Sequence, residues 1–180
     1  MSRENTKDLP QKKQGSILSR AEGFTLIEAL VAIFIITVGA GGAFSLIYQT
    51  TTIMRFAHNR LIASYLAQEG IEIVRNIRDQ NFLRTYYGEN IDWLKDIRCE
   101  AGDQEQQCQA DYLDNSLKLF EGEPLHESDG FFVHSGTNPS QFTREIIINP
   151  EGDRVDVTAR VSWGTYDVQV STEMHNWFNQ

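Results

Sequence analysis

Hydrophobic and polar positions divide the chain into stretches with different periods. From Phe24 to Met54 nearly every position is apolar or small; Glu28 is the only charged side chain, and the next charge is Arg55. A bilayer's hydrocarbon core takes about 20 helical residues, so this run predicts a membrane-crossing helix with length to spare. It is longer and more uniformly apolar than the buried helix of a small soluble domain. Beyond Arg55 the pattern turns amphipathic. Ile62, Leu66, Ile73 and Ile77 recur at helical spacing, and Gly70 completes their stripe at a point where a neighbour packs closely. Arg75 and Asp79, four residues apart, fall on the polar side. The helix is therefore expected to continue into water as a stem over 55–82, with its stripe packed on a sheet.

Residues 83–141 show no sustained period and read as an irregular, acidic loop region. Over 142–180 the period becomes two. Phe142–Asn149 is β-rich, Asn149-Pro150-Glu151-Gly152-Asp153 is a turn, and Val155, Val157, Ala159, Val161 and Trp163 alternate with polar residues. Gly164 opens a second turn, after which Val168, Val170, Thr172 and Met174 alternate again. This predicts a meander of about three antiparallel strands, whose apolar face covers the stem. Trp177 and Phe178 suit either packing at its end or exposure for contact. The fold class is α+β: a long N-terminal helix, half transmembrane and half amphipathic, packed on a small C-terminal antiparallel sheet.

Charge adds direction. Of 16 Lys/Arg and 25 Asp/Glu, residues 1–23 hold five and three, so 24–180 carry 11 bases against 22 acids, a net of −11. A basic head before an apolar block places residues 1–23 in the cytoplasm and the acidic body outside, in a single-pass arrangement. An acidic body also argues against nucleic acid as a partner, since phosphate neutralisation needs a basic surface. The start does not read as a cleaved secretory signal: the basic region is long, the apolar run exceeds the usual length, and no A-x-A site ends it. No cysteine lies near it for lipid attachment.

Gly23-Phe24-Thr25-Leu26-Ile27-Glu28, followed by Ala29-Leu30-Val31-Ala32-Ile33, resembles the signal of type IV pilins and of the pseudopilins of type II secretion. The resemblance is close over roughly residues 20–50; Ala67–Phe82 is more loosely similar to the stem of minor pilins and pseudopilins. It implies that prepilin peptidase cuts between Gly23 and Phe24, removing 1–23 as a leader, and that Phe24 becomes N-methylated. The leader is longer than is common among major pilins, which fits a minor pilin or minor pseudopilin. The helix of 24–54 would then pack against those of other subunits in a pilus or pseudopilus, with a platform protein and an assembly ATPase as implied partners. A lone buried ammonium or carboxylate costs several kcal/mol. Glu28 meeting the Phe24 amine of a neighbour would neutralise both and set register. The plain alternative is a carboxylate favoured by the helix dipole, which does not account for an acid deep in lipid.

Gly39, Gly41 and Gly42 interrupt the span, each costing about 1 kcal/mol against alanine in a helix. The resemblance makes this a candidate melting segment during assembly; close helix–helix packing through small residues is an equal reading. In the exported body, Cys99 and Cys108 read as a disulfide, with two free thiols as the alternative. From Glu100 to Asp129 there are nine carboxylates and one base, Lys118. Calcium binding is one reading, but no EF-hand-like spacing is present and a solvated acidic loop is the simpler one. His126 and His134 stand isolated, with no finger spacing for a metal. No metal or cofactor is expected. No G-x-S-x-G, H-E-x-x-H or phosphate-cradling loop occurs, so the chain reads as a substrate of an enzyme rather than an enzyme. Trp163 and Tyr166 suggest a binding platform but more simply belong to a core. The expected function is a structural subunit of a pilus or secretion pseudopilus. A competence-type pseudopilin is a rival within the class. A membrane-anchored extracellular binding protein that never polymerises is the rival outside it, with an anchored hydrolase as a third reading.

Overall fold

The computed structural model of the chain describes residues 23–177. Apart from Gly23, the expected leader lies outside the described residues, as does Phe178. Helix α1, Leu26–Tyr86, is followed by seven strands: β1 Gln106–Gln109, β2 Lys118–Leu119, β3 His126–Ser128, β4 Phe131–Val133, β5 Thr143–Glu151, β6 Arg154–Trp163 and β7 Tyr166–His175. This is the expected α+β layout, one long N-terminal helix and a C-terminal antiparallel sheet. The chain divides into two compact units, one up to Gln49 and one from Thr50 onward.

The described part of the first unit is the N-terminal portion of α1 with Gly23–Thr25 before it. Its large apolar side chains are exposed, from 50% at Val31 to 80% at Leu26. Burying one such side chain is worth about 1.5–3 kcal/mol, so the stretch as a whole lacks on the order of tens of kcal/mol until lipid or another helix covers it.

In the second unit, the stem turns Ala63, Leu66, Ala67, Ile71, Val74 and Ile77 into a core shared with Ile146, Ile148, Val155, Val157, Ala159 and Val161 of the sheet. Gly70 lies on that face. A Cβ there would stand 3.1 Å from the Cβ of Ala159 and 3.4 Å from Cδ of Arg144, so a bare backbone lets helix and sheet approach. On the polar side, Arg75 pairs with Glu72 and Asp79 with Arg78 at 2.7 Å, rather than with each other. The helix runs past Phe82 and stops at a Schellman cap. Gly88 takes φ 96°, its N–H donates to the Thr85 carbonyl, and the Glu89 N–H donates to the Arg84 carbonyl, both at 3.0 Å.

The main sheet has five strands in the order β2-β1-β5-β6-β7, not three. The β5–β6 and β6–β7 hairpins were legible, and their turns have positive φ at Gly152 and Gly164 alone, as two-residue turns of type II′ require. The extra strands come from the region expected to be irregular. β1 pairs Gln106, Gln107 and Cys108 with Ile148, Ile147 and Ile146, and β2 pairs with β1. A Gln-Gln-Cys-Gln strand has no apolar alternation to betray it. Its inward glutamines bond locally instead: the Gln106 amide donates to the carbonyls of Glu100 at 3.1 Å and Gly102 at 3.2 Å. The Cys99–Cys108 disulfide, with Cα atoms 5.9 Å apart, ties this loop to the strand. β3 and β4 form a separate hairpin turned by Asp129-Gly130, both at positive φ. The same region also contributes buried Leu94, Ile97 and Leu125 to the core, and buried Asn81 on the stem donates to the Trp93 and Lys95 carbonyls at 3.1 and 2.5 Å.

Candidate functional site

The N-terminal end of α1 is built by its own first residues. The Thr25 carbonyl accepts from the N–H groups of Glu28 and Ala29, each at 3.1 Å, and Thr25 Oγ1 also accepts from the Glu28 N–H at 3.3 Å. Thr25 is thus the N-cap and Glu28 the third helical residue, the T-x-x-E spacing of a capping box. That signal was readable in the sequence, and it gives Glu28 a structural reason to stand where it does: an acid in the first turn faces the positive end of the helix dipole. The dipole does not use up the carboxylate. Glu28 is exposed and makes no ion pair among the described residues. Gly23 and Phe24 precede the cap outside the helix, and Phe24 is 73% exposed. The cap therefore leaves Gly23 and Phe24 exposed, and places within the turn that follows a carboxylate with no ion-pair partner among the described residues.

Gly39, Gly41 and Gly42 lie inside α1, which runs through them without a break, and a Cβ at any of the three would meet nothing within 4 Å. Nothing within the described chain requires them to be glycine.

The residues of the head singled out for chemistry do not converge. His134 is not isolated: its Nδ1 and its backbone N–H both approach Asp111 Oδ1 at 2.8 Å, a clasp between the end of β4 and the segment after β1. His126 packs against Gly136. Among the described residues no group of three or more His, Cys, Asp or Glu is placed to hold a metal ion. Trp163 is a core residue, 5% exposed, while Tyr166 is 53% exposed, so the two rings do not form an open platform. Sequence reading passed over Arg144, which is fully buried. Its Nη2 donates to the Ala110 carbonyl at 2.7 Å, and its Nη1 lies 3.3 Å from Glu69 of the stem.

Residues 18–44 match the family model of the prokaryotic N-terminal methylation motif. No characterised protein and no solved structure matches the chain. The matched segment spans Gly23 and Phe24, the capped helix start and the three glycines. It lies at the head of a helix long and apolar enough to cross a membrane. The chain carries the N-terminal methylation signal of type IV pilins and pseudopilins, the mark of a pilin-like precursor processed by prepilin peptidase.

Proposed function

We propose that the chain is a structural subunit, a minor pilin or minor pseudopilin, that polymerises through its N-terminal helix into a type IV pilus or a type II secretion-like pseudopilus. The observation that carries this reading is the methylation motif at the start of an exposed apolar run, 24–54, whose only acid, Glu28, makes no ion pair among the described residues. Cleavage after Gly23 turns the Phe24 amide into an amine, and the Glu28 carboxylate of a neighbouring subunit neutralises it. In the membrane the leader faces the cytoplasm and the head faces outward; extraction by a platform protein and an assembly ATPase then exchanges lipid contacts for helix–helix contacts. Gly39, Gly41 and Gly42 weaken the helix locally or admit a neighbouring helix, and both uses explain glycines with open space around them.

The N-terminal residue and intact mass of the membrane-expressed chain, with and without prepilin peptidase, test the reading. A chain beginning at N-methyl-Phe24 only when the peptidase is present supports it. A chain that keeps its leader under both conditions favours the anchored, non-polymerising binding protein instead.

A further inference from the structure

The apolar run Phe24–Met54 is longer than the about 20 residues a hydrocarbon core takes, so its last turns reach the headgroup layer when the helix spans a bilayer. Phe56 follows Met54 by two positions, about 3 Å along the axis. At this level the head brings down an aromatic cluster. The Phe56 ring lies edge-on to Tyr166 at 4.9 Å and 6.3 Å from Trp163, and Trp163 and Tyr166 are 5.8 Å apart. Trp163 roots the cluster in the core, while Phe56 and Tyr166 stay 38% and 53% exposed. The Gly164–Thr165 tip of the β6–β7 hairpin thus sits against the turn of the stem that adjoins the apolar run.

On the stem at this level the charge runs against the rest of the molecule, while the exposed Asp167 follows Tyr166 on the hairpin side. Between Glu28 and Glu69 the only ionised side chains are Arg55 and Arg60, in a body of net charge −11. Both are exposed, and neither pairs with a carboxylate among the described residues. Guanidinium groups match phosphate geometry, and rings with one wet edge settle at headgroup depth.

We propose that Arg55 and Arg60, with Phe56 and Tyr166, form a seat for phospholipid headgroups, which holds the β6–β7 tip against an anionic bilayer while the subunit resides in the membrane. The lipid surface is the occupant because the apolar run continues into the seat and the two unpaired cations complement lipid phosphate. The inference rests on membrane anchoring and not on polymerisation.

The test uses the full chain in nanodiscs of phosphatidylcholine, with or without phosphatidylglycerol, carrying one spin label at Ser45→Cys, Thr165→Cys or Asp153→Cys. Asp153 lies in the turn at the other end of β6. Accessibility to oxygen and to a water-soluble nickel chelate reports depth. The Ser45 label reads hydrocarbon, the Thr165 label reads headgroup depth in the anionic discs, and the Asp153 label reads water. Each cation near an anionic surface contributes about fivefold to partitioning. Arg55→Gln with Arg60→Gln therefore weakens seating about thirtyfold and moves the Thr165 label into water, with the Ser45 label unchanged. A Thr165 label as wet as the Asp153 label in anionic discs overturns the seat, as does an unchanged depth in the double variant. So does a label protected only as the protein-to-lipid ratio rises, which would identify a second copy as the occupant. A Ser45 label outside hydrocarbon would instead refute the anchoring on which the seat rests.

Discussion

Arg144 brings a full charge into the interface between stem and sheet, and its surroundings set its energetic role. With no exposure of its own and one ion-pair partner, Glu69, that is a third exposed, it is an asymmetric pair. Removing one member of a buried pair costs about 3–5 kcal/mol because the other is stranded. Glu69→Ala should fall near the lower end of that range, since water can reach the vacated side. Arg144→Met removes the charge at similar volume; it leaves Glu69 to the solvent that already reaches it and takes a donor from the buried Ala110 carbonyl, about 1–3 kcal/mol. Urea unfolding of the detergent-solubilised chain should rank Glu69→Ala as the more damaging change, with the double variant close to Arg144→Met alone. The reverse ranking would mean that the arginine itself is a net stabiliser. Gly70 sits beside this pair. Alanine is normally worth up to about 1 kcal/mol over glycine in a helix, but here the added methyl stands 3.1 Å from the Cβ of Ala159. Overpacking of about 1–3 kcal/mol should win. Gly70→Ala is therefore expected to lower the urea midpoint, and a raised midpoint would show that the interface yields freely.

At the scale of elements, the disulfide decides whether the sheet keeps its outer strands. β1 contributes only three paired positions to β5, and its own pairing partner β2 is two residues long. The Cys99–Cys108 link closes a short loop, which is worth about 2–3 kcal/mol in a chain-entropy account. Replacing both cysteines by serine should lower stability by that amount. It should also raise amide exchange over Gln106–Leu119, while the β5–β6–β7 hairpins stay protected. Uniformly faster exchange would show that β1 is integral to the whole sheet. The same contrast explains what could be read in advance. β6 was legible because every second residue is apolar and buried, and α1 because its apolar run and stripe are continuous in sequence. β1 was not, because glutamines that satisfy a loop look like a loop. The site divides the same way. Phe24, Thr25 and Glu28 form a local signal a few residues long, whereas Arg144 and Glu69 meet only through tertiary packing, which no period in the sequence announces.

For the whole molecule, the decisive question is whether Glu28 finds its partner in its own chain or in the next. Under the proposed cleavage after Gly23, the Phe24 amine and the Glu28 carboxylate would stand four residues apart, which allows an intrachain pair as the rival arrangement. The capped geometry argues for the neighbour. Thr25 already terminates the helix and Phe24 lies outside it, so folding the amine back onto the first turn would compete with the cap. In the proposed filament, each subunit would offer an amine to one neighbour and a carboxylate to another. A Glu28→Ala subunit keeps the first and loses the second, leaving a neighbour's amine unpaired in an apolar bundle at a cost of several kcal/mol. Alone, it should insert and be processed normally yet assemble at least about 100-fold less well, since 2.8 kcal/mol corresponds to that factor. Mixed with wild-type chains, it should join through its amine and then block the next addition, so that filaments shorten as its fraction rises and the variant collects at their ends. An intrachain pair predicts something else: variant subunits are left out and wild-type filaments keep their length. Filament length by electron microscopy, together with immunogold location of a tagged Glu28→Ala chain, separates the two. Variant subunits spread evenly along filaments of normal length would defeat both pairings and leave Glu28 with the helix dipole as its only role.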